Sequence, residues 1–261
     1  EDYSVGKGFL HSEWVGFRWF REFFSSVYFG RLIKNTLLIS IYSLIIGFPI
    51  PIIFALLLNE IKDGPFKRVT QTISYLPHFI SVVVVVGLLF NFLSPIDGVV
   101  NVLLKSMGKD AINFMSEPGW FRTLYIGSNI WQNFGWDSII YLAALSSVDP
   151  QLYEAAQIDG AGKFKQMLHV TLPAIMPTII ILLIMNVGNI MNVGFEKIIL
   201  MYSPATYETA DVISTYVYRR GILGSQFSFS ASVGLFNSVI NFALLFTVNK
   251  ISNRVSEISL W

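Results

Sequence analysis

Few side chains in this sequence could do covalent chemistry, and they are dispersed. Its 261 residues include three histidines and no cysteine, which rules out thiol catalysis, disulfides and cysteine-bound metals. His11, His78 and His169 are scattered, and His78 has no histidine or cysteine partner nearby. It is read as structural, and no metal is expected. The patterns Gly-x-x-x-x-Gly-Lys-Ser/Thr, His-Glu-x-x-His and Gly-x-Ser-x-Gly do not occur. Gly160-Ala161-Gly162-Lys163-Phe164 has a Gly-Lys pair but lacks the first glycine and the hydroxyl residue of a phosphate cradle. No catalytic residue, and no ATP hydrolysis by this chain through that motif, is expected.

What remains is a set of amides and one acid inside apolar stretches. Asn129, Trp131, Gln132, Asn133, Trp136 and Asp137 interrupt one such stretch. A charged side chain within a bilayer costs about 2.5–3.5 kcal/mol on insertion scales, so Asp137 faces a cavity or a partner. It is either a pathway residue or a hydrogen-bonded structural acid. Asn186, Asn189 and Asn192 are spaced by three, and Asn237 and Asn241 by four, which places each set near one helix face. Phe195, Phe236 and Phe242 lie close in sequence. Amides both donate to and accept from hydroxyls, and aromatic rings stack on the apolar faces of sugars. Trp131, Gln132, Asn133, Asp137, Asn186, Asn189, Asn192, Asn237 and Asn241 are therefore the candidate substrate path. The competing use of such amides is to hold membrane helices together.

The elements that carry them are apolar. The chain is 53% hydrophobic and 13% charged, where a soluble domain carries about 25% charged residues. Its net charge of +1 gives no reason to expect nucleic acid. Five segments reach the roughly 20 residues a crossing needs: Leu32–Leu58, about Thr72–Leu93, about Thr123–Leu145, Ala174–Val193 and Ser230–Val248. Pro49, Pro51, Pro77 and Pro177 should kink or delimit these helices. Residues 1–31 are expected to lie outside the bilayer. From His11 onward, Trp14, Phe17, Trp19, Phe20, Phe23 and Phe24 alternate with Arg18, Arg21 and Glu22, which suits an amphipathic anchor at the membrane surface.

One polar interruption, 146–173, has its own punctuation. Asp149 is a good N-cap and Pro150 suits the first helical position. Gly160 and Gly162 can end that helix in a left-handed conformation. Phe164, Met167 and Leu168 give the next piece an apolar side, and Pro173 opens a span. Glu154-Ala155-Ala156, then Asp159-Gly160-Ala161, then Val170-Thr171-Leu172-Pro173 closely resembles the "EAA" loop of binding-protein-dependent ABC importer permeases, with Val170 where the family pattern has Ile. The resemblance implies an all-α integral membrane protein of the type I ABC importer permease fold, with five transmembrane helices here. It also implies that Glu154, Ala155, Ala156, Asp159, Gly160, Ala161, Leu172 and Pro173 form a cytoplasmic loop docked on an ATP-hydrolysing subunit.

If that loop is cytoplasmic, so are residues 60–70 and the tail after Val248, and Lys62, Lys67, Arg68, Lys163, Lys165, Lys250 and Arg254 lie inside. The positive-inside bias over these short segments is consistent but weak, because cations also populate the longer outer loops, Lys7 among them. Five crossings then put Glu1 outside, and an additional upstream helix is expected.

Further stretches point to the carbohydrate branch. Trp14-Val15-Gly16-Phe17, Asn35-Thr36-Leu37 and Ala55-Leu56-Leu57-Leu58-Asn59 resemble sugar-importing members, and Gly98 to Asn101 resembles a "G-x-x-N" stretch in a loop that could touch the binding protein. Between Gly194 and Phe227 the chain resembles permeases for oligo- or polysaccharides, alginate-type importers included. Ser203-Pro204 stands where maltose-type members have Gly-Gly-Pro. The implied partners are a second homologous permease in a heterodimer, two ATP-binding subunits that hold ATP and Mg, an extracytoplasmic solute-binding protein and the lipid of a bacterial inner membrane. This chain itself is expected to carry no cofactor. Two alternatives stand beside this reading: the same fold importing a non-sugar solute, and an ion-coupled secondary carrier. Against the carrier, no internal repeat is seen and Asp137 is the one acid placed in a span.

Overall fold

The computed structural model describes residues 12–260, and all regular elements among them are helices. The start of the outer segment, with Glu1, Lys7 and His11, lies outside the described residues, as does Trp261. In chain order the helices are α1 (Arg18–Phe24), α2 (Phe29–Glu60), α3 (Pro65–Tyr75), α4 (Val82–Phe92), α5 (Val99–Ser106), α6 (Pro118–Ser146), α7 (Pro150–Ile158), α8 (Lys163–Gly188), α9 (Phe195–Met201), α10 (Tyr207–Ala210), α11 (Ile213–Tyr218) and α12 (Phe227–Ser256).

Three of these, α2, α8 and α12, are long and apolar enough to cross a membrane, with 32, 26 and 30 residues. At 1.5 Å per residue each exceeds the roughly 30 Å hydrocarbon layer. The polar α6 has 29 residues, enough in length to cross. The second expected span, by contrast, is not one helix. A 3₁₀ turn over Leu76–Phe79 follows α3, and Ile80 is extended (φ −78°, ψ 130°) before α4 begins. Pro77 offers no N–H to a regular ladder, and a broken span at membrane depth persists where other groups satisfy the freed carbonyls. Gln132 does so here: its Nε2 donates to the Ile80 carbonyl at 2.8 Å.

Prolines shape two other spans differently. In α2 a π turn covers Ser43–Gly47 just ahead of Pro49 and Pro51. In α8 a π turn covers Met167–Thr171 just ahead of Pro173. Each proline removes one i→i−4 donor, and the widened turn before it lets the helix continue.

The chain forms two compact units. The first takes the stretch up to Ile41, Val82–Tyr125 and Asn189–Ala243. Its core is Phe23, Leu32, Met191, Ile213, Tyr216, Phe229 and Val233. Phe23 meets Phe29, Phe229 and Phe236 edge-on, with ring centroids 5.1–6.2 Å apart. This corrects the expectation for α1, which is more than a surface anchor. Phe23 is fully buried, and Glu22 accepts from the Arg220 guanidinium at 2.6 Å. Trp14 and Phe17, 79% and 73% exposed, keep the character of an interfacial segment. The same unit holds a buried ionic hub. Asp211, fully buried, accepts from Arg31 at 3.1 Å, from Arg219 at 2.7 Å and from the Thr215 hydroxyl at 2.8 Å. Asn35 donates to the Asp211 and Glu208 carbonyls and accepts from Arg122. The stretch from Gly98 to Asn101 is architectural within this unit: buried Asn101 donates to the carbonyls of Leu93, Ser94 and Ile112 and accepts from the Ile112 N–H.

The second unit takes Tyr42–Ser81, Ile126–Gly188 and the chain from Leu244 onward. Ile52, Ala55 and Leu56 of α2 pack there with Tyr141 and Leu145 of α6 and Ile175 of α8. Gly188 lies so close to Leu245 that a Cβ would sit 2.6 Å from its Cδ1. All segments expected inside the cell, 60–70, 146–173 and the tail, fall in this unit. Lys163 and Glu60 even meet at 3.6 Å. The loops expected outside fall in the first unit.

Candidate coupling loop and substrate path

The loop between α6 and α8 is built by local rules. Asp149 caps α7, its Oδ1 accepting the Gln151 N–H at 2.9 Å, and Pro150 fills the first helical position; such a cap is worth about 1 kcal/mol. At the other end the Ala161 N–H reaches back to the Ala156 carbonyl and the Gly160 N–H to that of Gln157. This is the Schellman pairing, and it requires the left-handed conformation that Gly160 adopts (φ +75°). Gly162 does not share that role. With φ −69° and ψ 167° it is the extended residue that starts α8.

Two bonds then tie the turn to the span. Gln166 Nε2 donates to the Ala161 carbonyl at 2.8 Å, and the Tyr153 hydroxyl shares a 3.1 Å bond with Thr171 in the π turn. Glu154 and Ala155 are exposed, Ala156 is half-buried, and Asp159 is the residue that ends α7. Leu172 packs on the core of the second unit, whereas Pro173 is exposed. The apolar side expected of Phe164, Met167 and Leu168 divides: Met167 packs inward, while Phe164 and Leu168 face out. Together with Leu152 and Ile158, the latter 87% exposed, they give a polar loop an uncovered apolar surface.

The expected path residues fall into two groups. In the second unit, Asn133 donates to the carbonyl and Oδ1 of Asn129 in the preceding turn of α6. Trp131, Trp136 and Asp137 are exposed. Gln132 is buried and bonded to Ile80, so its amide supports the break in the neighbouring span. Asn186 donates to the Leu182 carbonyl of its own helix. In the first unit, the amide stripe expected to continue through Asn189 and Asn192 is not formed. The helix stops at Gly188, and the Asn192 N–H closes a turn onto the Asn189 carbonyl. Asn241 is buried with its oxygen taken by the Met191 N–H at 3.1 Å. Asn237 Oδ1 is buried with no hydrogen-bond partner among the described residues.

The structure adds two residues that the sequence reading had set aside or missed. His78 stacks on Trp136 and bonds Asn133, so it belongs with the α6 group. Lys197, on α9, is 5% exposed and has its ammonium 5.9 Å from the Tyr125 ring. Its Nζ has no hydrogen-bond partner among the described residues, and burial pushes its pKa down to about 8. The signal in the sequence was a lysine set in the apolar run Phe195-Glu196-Lys197-Ile198-Ile199-Leu200-Met201.

Comparison with known proteins agrees with this architecture. The family described as "Binding-protein-dependent transport system inner membrane component" matches residues 47–257. Protein LplB of Bacillus subtilis (strain 168) is 44% identical over 261 residues, covering 100% of this chain and 82% of that protein. The polygalacturonan/rhamnogalacturonan transport system permease protein YteP of the same organism is 44% identical over 257 residues, covering 98% and 80%. A chain in the crystal structure of a bacterial alginate ABC transporter, in complex with an alginate pentasaccharide-bound periplasmic protein, superimposes with a TM-score of 0.91. It has 49% identity and covers 94% of this chain and 85% of that one. The chain thus belongs to the inner-membrane permease family of binding-protein-dependent ABC transport systems.

Proposed function

We propose that this chain forms part of the translocation path of an ATP-driven importer for an oligo- or polysaccharide handed over by a binding protein. The observation that carries the mechanism is the loop: a short helix capped at both ends, braced to α8 by two hydrogen bonds, with Ile158 87% exposed on it. An apolar surface on a polar loop calls for a protein partner. Glu154, Ala155, Ala156, Asp159, Gly160 and Ala161 dock on an ATP-binding subunit, and Leu172 and Pro173 pass its displacement into α8. The rigid turn is what makes this work, because a slack loop would absorb the displacement. The ATP-binding subunits supply ATP and Mg, and a second permease completes the path. Support for the saccharide comes from the relatives named for polygalacturonan, rhamnogalacturonan and alginate. The exposed amides and rings of α6, including Trp131, Asn133 and Asp137, are the groups that would meet it.

The test is purification of the protein from its native membrane in mild detergent. Co-purification of an ATPase and a second permease, with saccharide uptake on reconstitution with the binding protein, is the expected result. A chain that purifies by itself and moves solute without ATP overturns the proposal in favour of a carrier.

A further inference from the structure

His78 lies at the break between α3 and α4, in a setting that its sequence neighbours do not hint at. Its ring lies flat on that of Trp136, with centroids 4.5 Å apart and 1° between planes. Phe79 stands edge-on to both, at 5.5 and 5.4 Å. His78 Nδ1 is 2.9 Å from Asn133 Oδ1. Asn133 turns its nitrogen toward Asn129, at 3.0 and 3.1 Å, so its oxygen is the atom that faces His78. Nδ1 therefore carries the proton, and Nε2 presents a lone pair.

The surroundings decide what that lone pair meets. Asn129, Asn133 and Asp137 follow one another at four-residue spacing down one face of α6. Phe79 and Trp136 are 70% and 40% exposed. A row of amides ending in an acid is not turned to hydrocarbon, where its groups would lack partners. It faces water or another subunit.

We propose that His78 is a substrate-contacting residue of the transport path. Its Nε2 accepts a hydroxyl of the passing saccharide, while Phe79 and Trp136 offer apolar faces to the pyranose ring. This inference rests on the saccharide reading above.

The absence of cysteine makes the test clean. Single substitutions His78→Cys and Asn129→Cys are placed in the full chain, assembled with cysteine-free partner subunits. Ile45→Cys, at an exposed apolar position of α2, is the control. The probe is a charged, water-soluble methanethiosulfonate. Labelling is expected at His78→Cys and Asn129→Cys in the assembled complex, not at Ile45→Cys, and slowed at least fivefold at His78→Cys by saccharide-loaded binding protein with ATP. Separately, His78→Phe, which keeps a ring on Trp136 but removes the acceptor, is expected to lower saccharide uptake about tenfold, with His78→Gln recovering part of it. If His78→Cys labels in the isolated chain but not in the complex, the stripe is subunit packing and the proposal fails. Labelling that saccharide does not slow, with normal uptake by His78→Phe, also overturns it. If the wild type moves no saccharide but another solute slows labelling, the saccharide reading fails while His78 stands as a path residue.

Discussion

Gly160→Val isolates the backbone requirement of the coupling loop. Gly160 has φ +75°, and a Cβ built there meets nothing within 4 Å. The penalty is therefore conformational rather than a clash. A left-handed L-residue costs about 1–2 kcal/mol, and a β-branched one lies at or beyond the upper end, within the roughly 1–3 kcal/mol of strained positions. At about 1.4 kcal/mol per factor of ten, 2–3 kcal/mol reduces the fraction of loops in the docking geometry by roughly 30- to 150-fold. The apparent affinity for the ATP-binding subunit falls by the same factor. Gly162 provides the matched control, since its surroundings are equally open but its φ is −69°. Gly162→Ala should leave transport unchanged and add a few tenths of a kcal/mol of stability. Gly160→Asn, which tolerates the left-handed region, should retain most activity. The assay is ATP-dependent uptake in proteoliposomes, with co-purification of the ATPase as a second readout and membrane insertion unchanged throughout. Wild-type uptake by Gly160→Val, or equal damage from Gly162→Ala, would refute the reasoning.

Two further outcomes follow from the first unit. Asp211→Ala strands Arg31 and Arg219, and the loss of a buried acid that pairs two cations should cost about 3–5 kcal/mol, read as a fall in the thermal unfolding midpoint in detergent. Lys197 has its folded pKa lowered from 10.5 to about 8 by burial. The unfolded chain then holds the extra proton between these values, so stability rises with pH across that window and burial of the charge is most costly below it. Lys197→Met should be more stable than wild type at pH 7, and the difference should shrink as the pH climbs toward 10; a difference independent of pH would refute this.

The parts of the fold that could be read from the sequence are those whose causes are local. Asp149, Pro150 and Gly160 announce the coupling helix because caps act within a turn or two. The lengths of α2, α8 and α12 follow from unbroken apolar runs. What escaped depends on distant partners. Asn192 suits a continued helix by spacing, yet the helix ends where Gly188 presses on Leu245, 57 positions along the chain. His78 looked isolated because the residue it bonds, Asn133, is 55 positions away. Phe23 read as an interfacial aromatic because nothing near it announces Phe229 and Phe236. The break at Ile80 combines a visible cause, Pro77, with a hidden support, Gln132.

The π turn in α2 fixes the rotational phase of everything that follows it. One residue fewer within Ser43–Gly47 would restore an ordinary α turn, yet at 3.6 residues per turn it would swing the downstream face by about 100°. Ile52, Ala55 and Leu56 would rotate away from Tyr141, Leu145 and Ile175. A single deletion there would be damaging while leaving every residue of that face in place, because what it removes is angular register.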